Sequence, residues 1–428
     1  MEYILLTLFI FLTSISINSS AAPFEFHGYF RSGTGSNLKG GKQECFSNPG
    51  AQAEFRLGNE CSIYGEATFA LNFQESADAQ PVFHAISTFA YSYDNKKDWE
   101  TTSNNWVLRQ AYLENEAFDE VPYSFWVGKR FYRWGDVHIL DFFPMNFSGP
   151  GAGMEWKSAQ GSNWKIGVIQ NADSKEINGS DTAISTEIKD AAKTSFHLRI
   201  EEIPFQQDEK ISFWFAGATT PATKATAAPY TDYKAGQGFA IAFKHWRPVV
   251  SGGNEFGLAY GNGVLSNLGP WGELMVDCNT DTDSACTVQS SNRLRFWNAF
   301  TKDWSKFSAQ IAAAHDSYNK GTSSNSKVMW TSLGIQPIYY FTDRFQLTSV
   351  LGYSNVEDQS DNLGQRTLVR FTVGPQISFQ KGYYARPVLR AFYTFNSWNK
   401  ANTNSFSGTS AAGKENAHAV GVQGEVWF

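Results

Sequence analysis

The final ten residues constrain the fold more than any other segment. Ala419 to Phe428 reads A-V-G-V-Q-G-E-V-W-F. At period two, Val420, Val422, Val426 and Phe428 share one face, while Gln423, Glu425 and Trp427 share the other. A soluble domain could bury such a strand but would gain nothing from stopping on it. A membrane-crossing β-strand needs an apolar lipid face, a polar inner face and an aromatic near the interface. The expectation is a strand that closes a barrel.

The same design recurs upstream. Phe24, Phe26 and Phe30 lie opposite Glu25, His27, Tyr29 and Arg31. Between Ser62 and Phe73, the residues Ile63, Gly65, Ala67, Phe69, Leu71 and Phe73 oppose Ser62, Tyr64, Glu66, Thr68 and Asn72. Phe196 to Ile200 and Phe307 to Ala313 alternate too. Aromatics make up 16% of the chain and hydrophobic residues only 42%, the average of a wall that is apolar outside and polar inside. After the N-terminal segment no stretch approaches the roughly 18 apolar residues of a spanning helix, so a membrane would be crossed by strands.

Polar stretches at 174–193, 219–236, 278–292, 357–365 and 400–415 alternate with short turns, as external loops and periplasmic turns do. One strand with its share of loop and turn takes about 22 residues, which supports roughly 16 to 20 strands, an even number. That size leaves an aqueous channel. A soluble sandwich or propeller would show shorter strands and denser turn signals.

Tyr3 to Ile17 is a mostly apolar run followed by small residues, although Glu2 stands where a basic start is usual. Residues 1–21 are expected to be a cleaved signal peptide, and 22–428 one barrel domain in a bacterial outer membrane. A membrane-anchor helix is the weaker alternative, because the run is short and no basic stop-transfer segment follows. Cys45, Cys61, Cys278 and Cys286 are an even set in an exported chain, with three possible pairings; proximity favours Cys45–Cys61 and Cys278–Cys286. Neither pair has zinc spacing, and no metal, cofactor or phosphate-binding loop is expected; Gly33-Thr34-Gly35 reads as glycine in a loop. A net charge of −6 argues against nucleic acid.

The polar face carries rings beside charges: Tyr29 with Arg31, Tyr64 with Glu66, Trp427 with Glu425. A ring on a watery face, next to a charge, suits a sugar, whose flat apolar side stacks while its hydroxyls bond. The bland alternative is a set of girdle residues at strand ends.

The chain also resembles the maltoporin family of trimeric, eighteen-stranded, sugar-specific outer-membrane porins. The likeness rests on Phe26-His27-Gly28-Tyr29-Phe30-Arg31-Ser32-Gly33, Gly50-Ala51-Gln52, Arg56-Leu57-Gly58-Asn59-Glu60-Cys61, Asp98-Trp99-Glu100, Gly128-Lys129-Arg130-Phe131-Tyr132 and Ser148-Gly149-Pro150-Gly151-Ala152-Gly153. Later, Gly334-Ile335-Gln336-Pro337, Gly352-Tyr353, Asn355-Val356-Glu357 and Arg386-Pro387 match in order. The resemblance implies an inward-folded third loop and a Cys45–Cys61 disulfide in the first loop. It implies an aromatic sugar path of Tyr29, Tyr64, Tyr384 and Trp427, with Trp99 reaching in from a neighbouring subunit of a homotrimer. Phe239 is a candidate for one more path ring. It implies a polar track of Arg31, Arg56, Glu66, Arg109, Asp136 and Asp141 with His138 beside them. At the constriction the chain departs from the family: Trp134 replaces an arginine, with Arg133 adjacent, Phe143 replaces a tyrosine, and Asn146 replaces an acid.

The expected function is therefore facilitated diffusion of maltose, maltodextrins or related sugars, without catalysis. A general diffusion porin of the same fold is the first alternative. A secreted carbohydrate-binding or hydrolysing β protein is the second, with Glu66, Asp136 and Asp141 as its carboxylates.

Overall fold

The computed structural model describes residues 21–74, 82–94, 106–117, 121–172, 192–222, 235–269, 289–321, 327–361 and 363–428. The first strands are β1 (Ala21–Asn37), β2 (Ser62–Phe73), β3 (Phe83–Asp94), β4 (Trp106–Asn115) and β5 (Ser124–Arg130). Two short strands follow, β6 (Arg133–Trp134) and β7 (Met145–Asn146), and then β8 (Gly149–Lys157), β9 (Asn163–Ala172), β10 (Ala192–Pro204), β11 (Lys210–Thr220), β12 (Gly236–Val249) and β13 (Gly252–Asn262). The remainder are β14 (Asn292–Asp303), β15 (Phe307–Asn319), β16 (Lys327–Tyr340), β17 (Phe345–Asp358), β18 (Arg366–Ser378), β19 (Val388–Trp398) and β20 (Asn416–Trp427). All but β6 and β7 belong to one antiparallel sheet of eighteen strands. Each pairs with its sequence neighbour, β5 with β8, and β20 returns to β1, so the sheet is closed.

Period two decides the two faces. Phe26, Phe69, Leu71, Leu351 and Val422 stand exposed on the outer wall. Arg370, Thr372, Gln423 and Glu425, at the opposite parity of their strands, turn inward and are buried. A sandwich or propeller has no such closed ring of outward apolar side chains. Among the described residues no helix is long and apolar enough to cross a membrane, and strands make the crossing.

Gly33 to Gly35, read from the sequence as a loop, lies within β1. A Cβ on Gly33 would come within 2.6 Å of the Val422 carbonyl oxygen, so glycine here lets β20 close on β1. The polar stretch at 400–415 also departs from a plain external loop. Lys400–Phe406 is a 3₁₀ turn, and Phe406 packs 5.2 Å from Phe46 and 4.4 Å from Trp398, ring to ring. The stretches at 174–193, 219–236 and 278–292 fall mostly outside the described residues.

Two loops fold into the barrel. The first, residues 38–61, sets Phe55 against the wall where Gly334 pairs with Gly352; a Cβ on either glycine would lie 2.2 Å from the Phe55 ring. Arg370 of β18 donates to the carbonyls of Phe55 (2.6 Å) and Phe46 (2.5 Å), which satisfies a buried guanidinium. The loop is tied by the Cys45–Cys61 disulfide, with Cα atoms 5.9 Å apart.

The second is the segment 131–148. Its small ribbon pairs Arg133 with Asn146 and Trp134 with Met145. Val137, Ile139, Leu140, Phe142, Met145 and Phe147 are all buried against wall tryptophans including Trp214, Trp297 and Trp330. An apolar loop inside a polar bore is stable only because the wall supplies a matching apolar patch. Gln310 of β15 accepts the amide of Ile139 at 3.0 Å, and Arg295 of β14 donates to the Pro144 carbonyl at 2.5 Å.

Candidate functional site

Strand register builds the first part of the lining. Tyr29 of β1 stands opposite Trp427 of β20 on one side and Glu66 of β2 on the other. The Tyr29 ring lies 6.5 Å from Trp427, nearly parallel, and 6.0 Å from Tyr64. His138, from the inward loop, sits edge-on 5.8 Å from Trp427 and 5.4 Å from Tyr384. Tyr384 comes from the β18–β19 turn and is 46% exposed, while its hydroxyl accepts from Gln310 at 2.9 Å. Tyr64, Tyr29, Trp427, His138 and Tyr384 thus form a continuous row in which His138 bridges two expected path rings.

A charged cluster flanks the row. Glu425 accepts from Arg56 (2.8 Å), Arg386 (2.9 Å), Arg390 (2.6 Å) and the Tyr29 hydroxyl (3.0 Å). Glu60 accepts from Arg56 at 2.8 Å, from Gln423 at 2.6 Å and from Arg31. The Arg386 guanidinium lies 4.3 Å over the Trp427 ring. The Tyr64 hydroxyl donates to Glu66. His138 lies 3.5 Å from Arg56 and 3.3 Å from Arg386. Burial, and then the Arg56 charge, hold its imidazole well below the usual range, so it stays neutral at physiological pH.

The other expected track residues lie around the loop. Arg109 of β4 and Arg133 of β6 both lie over the Phe131 ring, at 5.1 and 4.3 Å, and Arg133 lies 4.0 Å over Phe143. Asp136 and Asp141 stand exposed on the same loop. Desolvation by surrounding protein, and then the neighbouring Asp141 charge, push the Asp136 carboxyl up to about 6.

The three departures at the constriction acquire distinct roles. Trp134 turns away from the bore and is buried, 5.7 Å edge-on to Trp214, with the Lys244 ammonium 5.1 Å over its ring. Arg133, one residue earlier, stays partly exposed and lies 4.0 Å over the Phe143 ring. Asn146 accepts from the Ser148 amide (3.2 Å) and hydroxyl (2.6 Å), which closes the loop's end.

Phe239 is not a lining residue. It is 46% exposed beside Ile241, two residues on, on the outer wall of β12. Its parity in β12 sends it outward with Ile241. Trp99, Cys278 and Cys286 lie outside the described residues. Sequence reading passed over Glu60, Arg386 and Arg390 and did not place Glu425 at the centre of the cluster. Alternation signals Arg390, inward beside outward Leu389; Arg386 sits in a turn and has no periodic signal.

Among solved structures, Acinetobacter baumannii OccAB1 aligns over 95% of this chain and 97% of its own, at 10% identity and a TM-score of 0.48. A BenF-like porin from Pseudomonas fluorescens Pf-5 aligns over 95% and 99%, at 10% identity and a TM-score of 0.48. The model of the LamB porin family matches residues 24–428. That match takes in every strand of the closed sheet and both inward loops, and the chain belongs to the LamB porin family.

Proposed function

We propose that this outer-membrane porin passes sugars by facilitated diffusion, along a path made by Tyr64, Tyr29, Trp427, His138 and Tyr384. The observation that carries the reading is the unbroken row of rings with fixed guanidinium and carboxylate groups at its flank. A pyranose presents an apolar face and an edge of hydroxyls. Rings take the face at little desolvation cost, and charged partners take the hydroxyls. A succession of similar weak sites lets a ligand move on instead of being trapped, which a channel requires.

The sugars proposed are malto-oligosaccharides and compact disaccharides such as sucrose. Phe143 in place of a tyrosine removes one hydroxyl from the constriction, and removing one hydrogen bond relaxes discrimination by about 1 kcal/mol. The assembly proposed is a homotrimer in which Trp99 extends the path from a neighbour, and the exported form is proposed to begin at Ala22.

The test is ion current through single channels in planar bilayers with maltotriose, sucrose and raffinose added in turn. Concentration-dependent block by at least one sugar is the expected result. Sugar entry in liposome swelling with no block by any of them would favour a general diffusion porin.

A further inference from the structure

A groove of about 630 Å³ crosses the outer wall from β1 to β17. Strand register makes it. Ser32, Gly424, Leu389, Ile377 and Phe345 stand opposite one another on five consecutive strands. At a strand spacing of about 4.8 Å, that row is about 19 Å long. Gly424, Ser32 and Ala391 keep the floor low, while Leu389 and Ile377 stand 64% and 59% exposed along it. Barrel closure does not demand the glycine. A Cβ on Gly424 would meet only the end of the Leu389 side chain, at 3.1 Å, and the Ser32 carbonyl oxygen, at 4.0 Å. On the same strand a Cβ on Gly421 would collide with the Phe392 ring at 2.5 Å. Pro375 also lines the groove, and the β18–β19 ladder has a gap at Gly374 and Pro375. A proline inside a membrane-facing sheet gives up a ladder bond that lipid cannot replace.

The groove has a charged end. Short turns lie on the periplasmic side of such barrels. Phe345 opens β17 beside the short turn at Thr342–Arg344, whereas Ser32 lies well up β1, so the groove climbs from the rim toward the middle of the wall. At the rim the Phe345 ring stacks on Phe341 at 5.5 Å, as girdle residues do. Next to Phe345, Arg344 is exposed, and its guanidinium has no side-chain partner among the described residues. Lys381, in the neighbouring turn, is exposed too and pairs with the exposed Asp343 at 2.8 Å. Two cations against one carboxylate leave this end positive. An apolar trough with a cationic end is complementary to an acyl chain that carries a phosphate. A second copy of this chain is a poorer fit. The subunit contact proposed above comes from the β3–β4 connection. Around the closed sheet, β19 at the groove's centre is the fifth strand from β4 out of eighteen, more than a quarter of the circumference away.

We propose that this groove binds one glycerophospholipid of the surrounding membrane. Its acyl chain lies along the row from Phe345 to Ser32, and its phosphate meets Arg344, with Lys381 alongside. The guanidinium fork matches two phosphate oxygens, and the chain completes the apolar wall that Gly424 and Ala391 interrupt. The site faces away from the bore and is independent of the sugar path.

The experiment is native mass spectrometry of the full chain in detergent micelles, titrated with dioleoylphosphatidylglycerol. Dioleoylglycerol, which has the same chains without the phosphate, is titrated separately. Arg344→Glu reverses the headgroup contact from an exposed turn, and Ala391→Trp fills the groove from an exposed position. Leu351→Trp places the same bulk on the outer wall away from the groove lining. Heat-modifiable gel migration checks that each variant forms its barrel; if Ala391→Trp does not, Arg344→Glu alone decides. The expected result is one phospholipid per chain in the wild type. Half-saturation should rise about tenfold in Arg344→Glu and in Ala391→Trp, and the wild type should bind dioleoylglycerol about tenfold more weakly, the loss of one charge-assisted contact or of the trough. Leu351→Trp should bind as the wild type does. Equal half-saturation in wild type, Arg344→Glu and Ala391→Trp would overturn the proposal, as would equal binding of the two lipids or none of either. A smaller oligomer in Ala391→Trp with phospholipid uptake unchanged would assign this face to contact between copies and overturn it too.

Discussion

Arg56 and Glu425 are 369 positions apart in the chain and 2.8 Å apart in the bore. One comes from an inward loop and the other from the last strand. Around them gather Arg386, Arg390, Glu60 and Tyr29, so that one carboxylate holds three guanidinium groups and a phenol. The arrangement ties the first loop to the seam where the barrel closes.

Glu425→Gln should therefore be strongly destabilising. The carboxylate is nearly inaccessible, and its neutralisation leaves Arg386 and Arg390 without an anionic partner and Arg56 with Glu60 alone. Breaking a buried pair on one side costs on the order of 3 kcal/mol. Guanidinium unfolding in detergent micelles measures it, and a change within experimental error would show that lumen water screens the cluster.

Gly352→Val should detach the first loop from the wall. The new side chain would occupy the place of the Phe55 ring, which a Cβ alone would meet at 2.2 Å. Expelling a buried phenylalanine forfeits about 2 kcal/mol of apolar burial. The expected readout is faster proteolysis between Phe46 and Leu57 with the barrel intact on gels.

Cys45→Ala with Cys61→Ala should lower stability by roughly 3 kcal/mol in the loop-entropy account, since the bond closes a short loop of separation 16. Thermal melting of the double variant against the wild type checks it. Equal melting points would assign the loop's order to Phe55 and Arg370 alone.

Trp427→Ala and Tyr64→Ala should each weaken sugar block by about 1 kcal/mol, the worth of a ring contact beyond its buried area. Conductance in salt alone should stay the same. Unchanged block constants would make these rings structural.

Ion selectivity should depend on pH through Asp136. Its carboxyl titrates at about 6, so it is mostly ionised at about pH 7 and mostly protonated at about pH 5. Acidification removes a negative charge beside Asp141, Arg56 and Arg133, and cation preference should fall. Reversal potentials in a salt gradient, measured at both pH values, report the change. Asp136→Asn should show the low-pH selectivity throughout; a wild-type change that persists in this variant would assign the titration to another group.

The sequence by itself determined the barrel and the sorting of residues between its faces. Tyr29, Arg31, Tyr64, Glu66 and Trp427 could be placed on the inner wall from parity alone, because in a strand a side chain's direction follows from the one before it. Period two is a local property, so it survives in a single sequence. Only the tertiary structure decided which inner residues meet. Arg56 and His138 reach the path because Phe55 finds a glycine window and because the loop at 131–148 finds wall tryptophans. Arg133, and not position 134, faces the bore because Trp134 gains more by burial against Trp214. Phe239 failed for the converse reason: resemblance suggested a role that its own parity in β12 forbids. Loops have no period to read, and their placement is a sum of contacts with strands hundreds of residues away.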